Sequence, residues 1–94
     1  MDLGLTGKRI LVTGGSKGIG RGITQALLEE GAVVTICARN ADGLATAAAE
    51  LSALGTVHHR ATDMAVEGDP TVLVEWAAEQ MGGLDIVVSN VSAM

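Results

Sequence analysis

The spacing of apolar residues changes period several times along this chain. Arg9 to Thr13 (R-I-L-V-T) is apolar and β-branched and stops at Gly14-Gly15, which predicts a buried strand. Ile19, Ile23, Ala26 and Leu27 then recur at spacings of three and four, predicting a helix whose C-terminus is marked by Gly31. Val33 to Ala38 (V-V-T-I-C-A) predicts a second strand. Across residues 41–54, Leu44, Ala47, Ala48, Leu51 and Leu54 mark one helical face, closed by Gly55.

The second half repeats the alternation. Val57 to Ala61 predicts a shorter strand carrying His58 and His59. Asp69 is suited to an N-cap, with Pro70 at the first helical position, where its missing N–H costs nothing. Leu73, Trp76, Ala77 and Gln80 continue that helix to Gly82-Gly83, and residues 85–89 (D-I-V-V-S) predict a fourth strand. A β-α-β-α-β-α-β order implies an α/β fold with a parallel sheet and right-handed crossovers. The expected architecture is part of a Rossmann-type doubly wound sheet, with strand order 3-2-1-4.

Composition narrows this further. The 94 residues allow one compact domain, and with one aromatic among 48% hydrophobic residues the core must be aliphatic. A net charge of −5 argues against a surface that tracks nucleic-acid phosphates. The single Cys37 cannot form an internal disulfide and reads as buried filler. No stretch reads as a signal peptide or membrane span, so a cytoplasmic location is expected. His58 and His59 are adjacent on a strand and point to opposite faces, so no metal site is expected.

The chemistry concentrates in Thr13-Gly14-Gly15-Ser16-Lys17-Gly18-Ile19-Gly20, between the first strand and the first helix. A pyrophosphate needs close backbone approach and unpaired N–H donors, and a glycine turn opening a helix supplies both. The T-G-x-x-x-G-x-G spacing is neither G-x-G-x-x-G nor a Walker A loop. With this run after the first strand, the sequence resembles the short-chain dehydrogenase/reductase family over essentially its whole length. Four motifs match in order: the glycine turn, a basic residue after strand two, Asp63 after strand three, and Asn90 in a modified N-N-A-G.

The resemblance implies that Gly14, Ser16, Lys17, Gly18, Ile19 and Gly20 line the diphosphate and adenosine ribose of a nicotinamide dinucleotide. It places Asp63 and Met64 at the adenine. It retains Asn90 beside the cofactor, although Ser92 stands where the family has glycine. Strand two ends Cys37-Ala38-Arg39-Asn40, without the carboxylate that an NAD-specific site would place there. Arg39, with Asn40 beside it and Lys17 in the glycine loop, is expected to face a 2′-phosphate, so NADP(H) is the expected cofactor.

The family's catalytic residues have no counterpart. The chain contains no tyrosine, so Y-x-x-x-K cannot occur in it, and the 94 residues alone are expected to be inactive. Residues 1–94 are therefore read as the NADP(H)-binding portion of a longer carbonyl/alcohol oxidoreductase acting on a small molecule, with a dimer or tetramer expected from the resemblance. The competing reading is an inert NADP(H)-binding or sensing module that acts with a partner chain. In either case the fourth strand is expected to be an exposed apolar edge.

Overall fold

The computed structural model describes residues 4–15 and 18–90. Four strands and three helices alternate: β1 (Arg9–Thr13), α1 (Gly18–Glu29), β2 (Val33–Ala38), α2 (Ala41–Leu51), β3 (Val57–Ala61), α3 (Asp69–Met81) and β4 (Ile86–Val88). All pairings are parallel, and the sheet order is β3-β2-β1-β4, as the alternation predicts. β1 and β2 are central and therefore need apolar residues on both faces. Their buried Ile10, Leu11, Val12, Val34, Ile36 and Cys37 supply them.

The two faces are covered unequally. Ile10, Val12, Val34 and Ile36 pack with Leu28 of α1 and with Leu44, Ala48 and Leu51 of α2. On the other face Leu11 and Cys37 meet Leu73 and Ala77 of α3. Trp76 lies off the centre of that stripe, half-buried, with Arg60 5.6 Å above its ring rather than in the core. Both residues are half-buried there, with the cation facing the ring's electron-rich side.

The stripe of α1 lies one residue away from the expected positions. Gly20, Thr24 and Leu28 are buried, Ile23 and Leu27 are at the margin, Ala26 is exposed, and Ile19 is 76% exposed. Close packing of the first turn requires glycine on the inner face, and Thr24 can be buried because its hydroxyl donates to the Gly20 carbonyl at 2.9 Å. On α2 the buried set matches the pattern, but the regular helix ends at Leu51, leaving Leu54 41% exposed.

Asp69 is not the N-cap of α3. Gly68 holds that position at φ 90, and Asp69 is the first helical residue, where its carboxylate suits the positive end of the helix dipole. β4 is shorter than the sequence pattern, spanning Ile86–Val88, with Ile86 and Val87 exposed on the sheet edge. Among the described residues, no helix is long and apolar enough to cross a membrane.

Candidate dinucleotide site

Parallel register brings the candidate residues to one end of the sheet. Thr13 is level with Cys37, Ala38 with Ala61, and Val12 with Val88. The segments that follow therefore emerge together at the carboxyl edge: Gly14-Gly15, Arg39-Asn40, Thr62-Asp63-Met64 and Ser89-Asn90. α1 begins at the same edge, and the first N–H groups of a helix have no partner within it. This edge is where open α/β sheets bind ligands.

The glycine turn is closed by Asn90. A Cβ on Gly14 would overlap the Asn90 carbonyl oxygen, and one on Gly20 would overlap the Gly14 carbonyl and the Asn90 Nδ2. Backbone is thus packed against backbone, drawing the first turn of α1 onto the end of β1. Gly18 differs from these two, because a Cβ there would meet nothing within 4 Å, yet its φ of +61° favours glycine. Among the described residues, it faces open space at the start of α1.

Thr13 is the latch between β1 and β4. Its buried hydroxyl accepts from the Asn90 backbone N–H at 2.8 Å and donates to the Val88 carbonyl at 3.4 Å. On the other side the Gly14 N–H donates to the Cys37 carbonyl at 3.0 Å. The Cys37 thiol is buried beneath this turn. Burial pushes its pKa up, and the Gly14 backbone N–H offsets part of that shift. A raised pKa disfavours the thiolate, consistent with filler and not with a nucleophile.

Gly15 is as tightly enclosed as Gly14. A Cβ there would come within 2.5 Å of the Ile36 Cγ2 and 3.1 Å of the Thr24 Oγ1. Spacing rules do not include this position, because its partners lie on β2 and α1.

The outer residues arrive with mixed duties. Arg39 is exposed at the end of β2. Asn40 is the N-cap of α2, its Oδ1 accepting from the Gly43 N–H at 3.0 Å, so a local structural role already engages that side chain. Asp63 Oδ1 accepts from the Ala65 N–H at 2.9 Å in a local turn, and Met64 packs on the α3-side core. Ile19 lies exposed at the lip of the glycine turn. Ser16, Lys17 and Ser92 lie outside the described residues. Among the described residues, no cluster of His, Cys, Asp or Glu could hold a metal ion.

A glycine turn at the carboxyl edge of a doubly wound parallel sheet, with a helix opening onto it, defines a dinucleotide-binding class of protein. The family model for short chain dehydrogenase matches residues 8–94, and the chain belongs to that family. It is 45% identical over 86 residues to a rhamnolipids biosynthesis 3-oxoacyl-[acyl-carrier-protein] reductase of Pseudomonas aeruginosa, covering 92% of this chain and 34% of that protein. The solved Pseudomonas aeruginosa RhlG/NADP active-site complex superposes with TM-score 0.88 at 44% identity, covering 95% of this chain and 36% of that one. An NADH-dependent reductase complexed with NAD superposes with TM-score 0.84 at 30% identity, covering 96% and 38%. The chain therefore spans about a third of the length of the relatives it matches. Of these two solved neighbours, one is a complex with NADP and the other a complex with NAD.

Proposed function

We propose that this chain is the NADP(H)-holding portion of a cytoplasmic oxidoreductase that interconverts a carbonyl and an alcohol on a small molecule. The observation that carries the reading is the closed contact of Gly14, Gly20 and Asn90 beside the open Gly18. That arrangement exposes the start of α1 to a diphosphate, which the unpaired helical N–H groups and the helix dipole favour. The bound cofactor would supply the hydride. The chain's own residues bind and orient it: Gly14, Ser16, Lys17, Gly18, Ile19 and Gly20 at the diphosphate and ribose, Asp63 and Met64 at the adenine, and Asn90 at the turn.

Arg39 decides the cofactor. The segment after β2 offers an exposed guanidinium and a capping Asn40 where an NAD-selective site needs a carboxylate. Together with Lys17 of the glycine-rich segment, it supplies charge for a 2′-phosphate. Asn40 contributes chiefly by starting α2 and thereby fixing where Arg39 leaves the strand.

Proton transfer is outside this portion. The chain has no tyrosine, so a tyrosine acid/base would have to come from outside these 94 residues. We read the chain alone as catalytically inactive but competent to bind cofactor.

The test is Arg39→Ala with NADPH and NADH titrated in parallel. A charge-assisted hydrogen bond contributes about 1.5–3 kcal/mol, so NADPH affinity should fall about ten- to a hundredfold while NADH affinity holds. Equal losses for both cofactors would refute the assignment of Arg39.

A further inference from the structure

β4 is only three residues long and presents two exposed apolar side chains at the sheet edge, yet the Asn90 that follows it must sit against Gly14 and Gly20. Val88 and the preceding Leu84 pack against the two core clusters, and polar contacts add to them in fixing the strand's register. At its beginning stands an interaction remote from the glycine turn. The Arg9 Nε donates to Asp85 Oδ2 at 3.0 Å and Nη2 donates to Oδ1 at 3.1 Å, a two-pronged pair. The Arg9 backbone N–H also donates to Oδ2 at 2.9 Å, and the Asp85 N–H donates to the Arg9 carbonyl at 2.8 Å.

The surroundings are shaped to this pair. Arg9 Nη1 donates to the Gly82 carbonyl at 2.7 Å, at the C-terminus of α3. Gly83, at φ +144, lies so close to the guanidinium that a Cβ would overlap it. A cation near a helix C-terminus is itself favoured by the dipole. Gly83 thus does more than follow the helix, because it leaves space for the Arg9 side chain, while Gly82 supplies the accepting carbonyl. Isolated surface ion pairs contribute little, but a two-pronged pair joined to two backbone groups escapes that rule.

We propose that Arg9 and Asp85 are a positioning pair for the cofactor turn, holding β4 at its start so that Asn90 closes on Gly14 and Gly20 at its end. The effect travels the length of β1, about 13 Å at the usual strand rise. It passes through the β1–β4 ladder of Ile10↔Ile86, Leu11↔Val87 and Val12↔Val88 to the Thr13 latch. Neither residue touches the cofactor. The pair deepens the dinucleotide reading above and rests on it only for its effect on binding.

Hydrogen exchange of two amides separates positioning from general stability. The Asn90 N–H reports the Thr13 latch, and the Gly14 N–H reports the β1–β2 side through its bond to Cys37. Asp85→Asn, and Arg9→Lys as the milder variant that keeps the charge but loses the fork, should each speed Asn90 exchange about tenfold. Gly14 exchange should hold, and NADPH affinity should fall about threefold or more. Parallel acceleration of both amides, or an unchanged Asn90, would overturn the proposal. Failure of the unaltered protein to bind NADPH would sink the dinucleotide reading instead, while the two amides would still judge the pair.

Discussion

Gly20 and Gly22 lie two residues apart on α1, and alanine at each should change stability in opposite directions. At Gly22 a new Cβ meets nothing within 4 Å, so the substitution gains only the helix preference of alanine, about 0.5–1 kcal/mol. At Gly20 the same preference is opposed by overlap with the Gly14 carbonyl and the Asn90 amide. Overpacking costs about 1–3 kcal/mol, and here the upper part of that range applies because the obstacle includes backbone. The net for Gly20→Ala is a loss of about 1–2 kcal/mol. For a chain of this size about 1 kcal/mol moves the melting temperature by about 4–8 °C. Thermal unfolding followed by circular dichroism should therefore show Gly22→Ala melting above the unaltered protein and Gly20→Ala below it. NADPH affinity should fall only in Gly20→Ala, because moving Gly14 or Asn90 opens the turn. If the two variants melt alike, the close contact between Gly20, Gly14 and Asn90 is not a constraint and the geometry of the turn has been misread.

Other predictions reach different parts of the structure. Thr35 Oγ1 is buried with no hydrogen-bond partner among the described residues, so Thr35→Val should stabilise by about 1–2 kcal/mol in urea unfolding; a loss would mean the hydroxyl is satisfied. The Arg9 guanidinium and backbone N–H hold the Asp85 carboxyl down at about 2, so its contribution is complete above about pH 4. That contribution is lost as pH falls towards 2, and unfolding curves of Asp85→Asn should converge with those of the unaltered protein over that interval. A constant offset throughout would argue against the ion pair.

Much of this fold was legible because burial on both faces leaves a clear mark. The bounds of β1 and β2 follow from buried, largely aliphatic runs, β3 is a more polar strand, and the alternation with helices implies the parallel order. The stripe of α1 was misplaced for a physical reason: apolar counting favours Ile19 and Ala26, whereas the packing needs Gly20 and a self-satisfied Thr24. Trp76 reads as core by spacing, but its edge position beside Arg60 depends on β3, which the helical pattern does not contain.

The site divides in the same way. The glycines of the turn could be found from their spacing, because tight packing at Gly14 and Gly20 and the positive φ of Gly18 both need them. Gly15 could not, since its constraint is Ile36, twenty-one residues away on another strand. The engagement of Asn40 as a helix cap and of Asp63 in a local turn shows that polar residues beside a site also have folding duties. Sequence alone did not give those duties precedence.

Isothermal titration calorimetry of NADPH and of NADH into the protein bears most directly on whether this edge holds a phosphorylated dinucleotide. NADPH should bind about tenfold or more tightly than NADH, the difference carried by charge at the 2′-phosphate. No heat with NADPH, or tighter binding of NADH, would contradict it.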